Sequence, residues 1–150
     1  MVHRDLDFCK FTDVYAELNR LVEYGYTKHG NWTLGQICAH LSIFVEGSIE
    51  GFKGPPMPWY RRMLAPLFVR WMLKRRRMPA GAKTPKQCLP PAPTADDRRD
   101  VRRLKALLQR FEQHAGPLHP SPYGGDASRA VWTEMHLIHC AHHLGYLAPK

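Results

Sequence analysis

No two of the four cysteines, Cys9, Cys38, Cys88 and Cys140, are spaced as a C-x-x-C pair. The first residues, M-V-H-R-D-L-D-F, hold neither an apolar run nor a cleavage site. Together these absences point to reduced thiols in a cytoplasmic protein. No stretch approaches the roughly 18 apolar residues of a membrane span. There is no G-x-G-x-x-G, no P-loop and no G-x-S-x-G elbow, so dinucleotide, nucleotide and serine-hydrolase chemistry lack their usual carriers. Internal repeats and strand-like alternation are missing as well. What is left is an all-α reading for 150 residues, one domain's worth, spanning 1–150.

Acidic residues are scarce in one place. The chain is 44% hydrophobic and 23% charged, ordinary for a folded domain, yet its net charge is +9. Residues 1–52 carry four Lys/Arg against seven Asp/Glu, residues 53–110 sixteen against three, and residues 111–150 two against three. All the excess sits in the middle. Such a block can meet phosphate, nucleic acid or an anionic membrane surface, or it can simply solvate helix faces.

Apolar periodicity marks the helices. Thr12 to Tyr24 has Val14, Leu18, Leu21 and Val22 at helical spacing, with Thr12 as the expected cap and Gly25 as the stop. In residues 30–52, Thr33 followed by Gln36 fits a capping box, and Trp32 can staple onto Ile37. The stripe of this second helix is Ile37, Leu41, Phe44, Val45 and Phe52. His40 falls inside the stripe and so faces the core. Cys38 lies about 200° round the helix from His40, and Glu46 and Glu50 read as surface charges.

After the break G-P-P-M-P-W-Y, a third segment from Trp59 to Arg77 interleaves Tyr60, Met63, Leu64, Leu67, Phe68, Trp71 and Met72 with arginines and lysines, and Pro66 should kink or restart it. A core helix with its edges covered by long cationic stems is the expectation, and an interfacial membrane helix the alternative. Residues 79–94 hold five prolines and cross over to a fourth helix. Thr94 is its expected cap, Val101, Leu104, Leu108 and Phe111 its buried seam, and Gly116-Pro117 its end. A long crossover suggests that successive helices run parallel.

The loop from Pro117 is turn chemistry, ordered by His119, and Asp126 or Ser128 caps the last helix. There, M-H-L-I-H-C-A-H-H-L-G-Y-L from Met135 to Leu147 sets four histidines within eight residues. His136, His139 and His143 share a stripe roughly 60° wide. His139 lies on the face of Val131, Trp132, Met135 and Ile138, so the stripe points inward. Inward imidazoles each need a partner for their polar nitrogens, and one divalent ion satisfies several together. His139 and His143 are the best-spaced pair, and His40 is the one other good ligand that faces the core. Three neutral imidazoles that leave positions open for water or substrate suit zinc or nickel. His136, with Cys140 four residues on, is an alternate ligand, and His142, near Val131 and Ile138 on the helix, reads as structural or as a support for the ligands.

Four features recur in order: W-T-L-G-Q-I-C-A-H-L from Trp32 to Leu41, the basic helix with its proline-rich crossing, H-P-x-x-Y-G from His119, and W-x-x-x-x-x-x-H-x-x-H-H-L from Trp132. In that order and spacing the chain resembles the DinB superfamily over nearly its whole length, in an uncharacterised branch. Many members follow the last histidine with R-G-Q, where this chain has Leu144-Gly145-Tyr146. The resemblance implies a four-helix bundle of up-down-down-up topology, with the basic segment as an extra. It implies a metal triad of His40, His139 and His143. It also implies a divalent-metal enzyme: some relatives pass a low-molecular-weight thiol to an electrophile, others resemble hydrolases or isomerases. No general base stands out, and Glu46 would serve only if turned inward.

The alternative is a non-enzymatic helical module whose block from Arg61 to Lys105 binds an anionic membrane surface or nucleic acid. Binding would then fall steeply with salt and ignore changes at His139. The arginines are spread over two helices and lack a nucleic-acid motif, which favours the metal reading. A small-molecule substrate and a second copy of the chain are the expected partners.

Overall fold

Small residues in the second helix let its neighbours come close enough to bury it on nearly every side. Chain order in this computed structural model is α1 (Phe11–Tyr24), β1 (Tyr26–Lys28), α2 (Leu34–Glu50), α3 (Trp59–Arg75), a 3-10 turn (Lys86–Cys88), α4 (Asp97–Gln113), α5 (Arg129–Leu144) and β2 (Leu147–Pro149). The structure describes residues 3–54, 58–79, 81, 84, 86–93, 96–122 and 125–150, without the side chains of Arg61 and Arg62. Thr94, Lys83, Tyr123 and Gly124, each part of a reading above, lie outside the described residues.

Among the described residues the fold is five helices and one two-stranded sheet. This agrees with the all-α reading and adds one small sheet: Tyr26–Lys28 pairs antiparallel with Leu147–Pro149 and ties the exit of α1 to the end of the chain. Strands of three residues are too short to show alternation in sequence. No described helix is long and apolar enough to cross a membrane. All four cysteines are free, and Cys38, Cys88 and Cys140 are buried.

α2 packs on α4 and α5, and α1 packs on the same two helices. Leu34, Ile37, Cys38, Leu41 and Val45 are all buried, so Cys38, about 200° from His40 on the wheel, lies in the core as well. The close approach to α4 is set at Gly35, where a β-carbon would stand 2.6 Å from Asp97 Oδ1. The absent side chain makes room for a hydrogen bond.

The first turn of α2 leaves N–H groups without helical partners, and each finds one. Gln36 N donates to Thr33 Oγ1 (3.2 Å), and Thr33 N donates to Gln36 Oε1 (3.1 Å), which completes the capping box. Gly35 N donates to Asp97 Oδ1 (2.8 Å). Leu34 N donates to the Tyr26 hydroxyl (3.0 Å), which itself donates to Asp97 Oδ2 (2.7 Å). Burial, then this carboxylate, push the Tyr26 phenol up to about 12. Asp97→Ala is therefore expected to cost roughly 1–3 kcal/mol, because it orphans a buried N–H and a phenol together. Urea unfolding checks this: a midpoint unchanged from wild type would remove Asp97 from that role.

The other helix starts hold one correction. α1 begins at Phe11 with Lys10 at the cap position, not Thr12, because Asp13 Oδ2 accepts from both Cys9 N and Lys10 N (3.0 and 3.1 Å). Gly25, at φ +72°, ends the helix as expected. Asp96 caps α4 by accepting from Arg98 N (3.0 Å), and Ser128 caps α5 by accepting from Val131 N (3.2 Å). The seam of α4, Val101, Leu104, Leu108 and Phe111, is buried as read. Glu46 and Glu50 reach across from α2 to pair with Arg103 and Arg110 (3.3 and 2.5 Å).

α3 departs most from expectation. It runs from Trp59 to Arg75 straight through Pro66. It is not a core helix with covered edges: Ala65, Val69 and Met72 are buried, while its Trp59, Met63, Leu64 and Leu67 are exposed.

Candidate metal centre

Two helices and the proline-rich crossing meet at His40. The capping box fixes where α2 starts, and six residues on, the helical period turns His40 toward α5. On α5, Trp132 anchors the register: its ring is buried, and its Nε1 donates to the carbonyl of His119 (3.2 Å). His119 N in turn donates to Ser48 O (2.9 Å), so the loop ordered by His119 ties α5 back to α2. One helical turn then separates His139 from His143, on the side that meets His40.

The three rings form a close triangle. His40 and His139 have centroids 5.0 Å apart, His40 and His143 4.6 Å, and His139 and His143 4.8 Å. One ring nitrogen from each of the three lies within 4.8 Å of the others. His40 and His139 are buried and His143 is half-buried.

The tautomer of His40 follows from its neighbour. Nδ1 stands 2.7 Å from the carbonyl of Cys88. A carbonyl only accepts, so Nδ1 carries the proton and Nε2 keeps a lone pair. That Nε2 is 3.1 Å from Nε2 of His139. The Cys88 carbonyl belongs to the turn in the crossing, which packs against α2, and the crossing is held there when Gln36 Nε2 donates to Pro91 O (3.0 Å).

Aromatic rings wall the triangle. Trp32 stacks on His143 (5.4 Å, 19° between planes) and leans on His40 (5.0 Å). Phe44 sets its edge against His40 and His139 (5.1 and 4.6 Å). This apolar casing lowers the pKa of all three imidazoles, burial being the main cause in each. For His139 the charge of His143, and for His143 the charge of His40, adds to it. The rings are held neutral, the form that binds metals. They open on one side into a cavity of about 200 Å³, lined by Phe44, Phe68, Met72, Trp132 and Met135 among others.

The protein-of-unknown-function family DUF1569 has a model that matches residues 1–150. The chain belongs to the DUF1569 family. No curated protein and no solved structure matches it.

The remaining histidines of this DUF1569 chain sort by their partners. His136, read as an alternate ligand, is a core residue: Ser48 Oγ donates to Val45 O (2.7 Å) and accepts from His136 Nε2 (3.2 Å). Its ring stacks on Trp132 and meets Phe111 edge-on (5.0 and 4.9 Å). Burial pushes its pKa down to about 3. Cys140 is no co-ligand either. It is buried toward Cys38 and Tyr15, whose ionisation it opposes, and is not one of the three grouped ligands. His142 packs with His3 and Tyr146 (5.8 and 5.6 Å). His3 Nε2 donates to the backbone oxygen of His142 (2.9 Å), which ties the N-terminal segment to the end of α5.

Two contributors were not read from sequence. The Cys88 carbonyl is a backbone atom in a proline-rich stretch, and no residue pattern points to it. Trp32 was expected only to staple onto Ile37, and its ring also covers two of the three histidines. Glu46 pairs with Arg103 and does not turn toward the site.

Proposed function

We propose that His40, His139 and His143 hold a divalent metal ion, zinc or nickel, and that the protein is a metal-dependent enzyme built as the DinB superfamily is. The observation that carries this is the hydrogen bond from His40 Nδ1 to the Cys88 carbonyl, which aims a lone pair into the triangle. Metal-binding histidines almost always have their second nitrogen held in this way. Nε2 of His40 and Nε2 of His139 stand 3.1 Å apart, and one nitrogen from each of the three rings lies within 4.8 Å of the others, close enough for one divalent ion to be shared. The donor set fits the ion.

The bundle reading takes α1, α2, α4 and α5 as its four helices, with α3 and the crossing between the second and third. Its support is the packing of α1 and α2 on both α4 and α5. The up-down-down-up order comes with the DinB proposal.

The reaction best matched to this site is transfer of a low-molecular-weight thiol to an apolar electrophile. A bound divalent ion supplies Lewis acidity, lowering the pKa of a coordinated thiol. The chain's own buried thiols are poor nucleophiles, since burial raises Cys38 well above its usual value and Cys140 to about 12. The reacting sulfur therefore comes from a co-substrate. Phe44, Phe68 and Met72 receive the apolar electrophile and exclude water, while Trp32 and Phe44 hold the imidazoles in place.

Elemental analysis of protein prepared without a histidine tag or added metal tests the first step, with about one divalent ion per chain expected. Protein that contains no metal and takes up neither zinc nor nickel on dialysis refutes it. A panel of small thiols with a chromogenic aryl halide tests the second, read as halide release and thioether formation by the loaded protein.

A further inference from the structure

Large apolar side chains on the exposed side of a helix whose other side is already packed call for a second apolar phase. α3 carries them on both sides. Ala65, Val69 and Met72 are buried on its inner side, while Trp59, Tyr60, Met63, Leu64, Leu67 and Trp71 are exposed on the outer, Trp59 by 74% and Leu67 by 66%. Those six are most of the large hydrophobic side chains exposed among the described residues, the others being Tyr24 and Leu89. On an ideal helix they fall in one arc of roughly 140°, so this is a patch and not scatter.

The patch is set in unneutralised positive charge. Arg70, Lys74 and Arg75 stand within or beside the arc and are exposed. None of the three has a carboxylate partner among the described residues, whereas Arg76 pairs with Asp7 and Glu134, and Arg77 with Asp5. Residues 51–95 contain ten Lys/Arg and no Asp or Glu.

Charge selects the occupant. Two-fold pairing of this face with a second copy would set both copies' cations together, with no carboxylate from residues 51–95 between them. A nucleic acid duplex would meet the cations through its phosphates but leave Met63, Leu64 and Leu67 in water. An anionic bilayer matches both features. Its headgroup boundary takes leucine and methionine, tryptophan and tyrosine favour that zone, and long cationic side chains reach the lipid phosphates.

We propose that α3 seats the protein on an anionic lipid bilayer surface through this outer face. The proposal does not depend on the metal reading, although Phe68 and Met72 on the same helix line the histidine cavity.

Flotation of the full chain with vesicles tests it. Binding is expected to phosphatidylcholine mixed with phosphatidylserine, to be about a hundredfold weaker to phosphatidylcholine alone, and to fall as salt rises. Trp59 and Trp71 should shift their emission to the blue on binding, and Trp59→Phe with Trp71→Phe should remove that shift. Leu67→Glu, a surface change whose folding is checked by circular dichroism, should weaken binding at least about tenfold. Arg70→Gln, Lys74→Gln and Arg75→Gln together should weaken it about a hundredfold. His139→Ala with His143→Ala should bind vesicles as wild type does, which separates this proposal from the metal centre. The proposal is overturned by wild-type protein that ignores anionic vesicles at low salt, by binding indifferent to Leu67→Glu, by a dimer that Leu67→Glu dissolves, or by binding to duplex DNA in place of vesicles.

Discussion

Replacing His139 and His143 together by alanine is expected to lower metal affinity by at least about a thousandfold. Loss of one outer hydrogen-bond partner of a ligand costs roughly ten- to a hundredfold, and here two ligands themselves are removed. His40 alone, held on Cys88, would keep one nitrogen in a site otherwise walled by Trp32 and Phe44. The measurement is competition against a chromogenic chelator, with the fold of the variant followed by circular dichroism. His136→Gln is the control, because glutamine can present an N–H where His136 Nε2 now donates to Ser48. It should keep wild-type affinity. Equal losses in both variants would mean that the effect is general loosening of α5 and not loss of ligands. Bound metal should also raise the melting temperature of the wild type with concentration, and leave the double variant unmoved.

Acid should unfold the protein well above the pH at which carboxylates protonate. In the native state His136 is pushed down to about 3 by burial, and His139 and His143 well below their usual value by burial and by neighbouring histidines. In the unfolded chain each titrates near its usual value of about 6.5. The unfolded state therefore binds more protons, and stability falls as pH drops below about 6.5. One unit below that value the buried His136 ring alone costs on the order of 1 kcal/mol, and His139 and His143 add to it in the same direction. Even one such ring is a sizeable share of the roughly 5–15 kcal/mol that holds a domain folded. The full contribution is present above about pH 6.5 and is lost progressively toward the native value of about 3 for His136.

Urea unfolding of metal-free protein at about pH 7.5 and about pH 5.5 measures it directly. His136→Gln should flatten the dependence by one histidine's share. A stability equal at both pH values would show that the rings are already protonated or solvated when folded. Metal sharpens the dependence in the same direction, since ligands must be neutral to bind, so the chelated and loaded proteins should diverge most near neutral pH.

How far the sequence reaches can be seen residue by residue. Thr33 with Gln36 announced the start of α2, because a capping box is made within four residues. His139 with His143, and the inward turn of His40, follow from helical period alone. Val101, Leu104, Leu108 and Phe111 on α4 are buried for the same reason. Thr12 was a poorer guide, since Asp13 offered a carboxylate to the same N–H groups. His136 shares the stripe of His139 and His143, and periodicity could not separate them. Only the placement of Ser48 and Phe111 from other elements made His136 a core residue.

What the sequence by itself determined, then, is helical content, the inward faces of α2, α4 and α5, and the histidines available to a site, since each depends on contacts within one or two turns. Tertiary structure decided which three histidines meet and which lone pair faces the others. It brought the Cys88 carbonyl to His40 across 48 residues and Trp32 onto His143. It also decided that the inner side of α3 is covered and the outer is not. An apolar pattern records only that a side chain prefers to leave water, and the packing of other elements fixes what it meets.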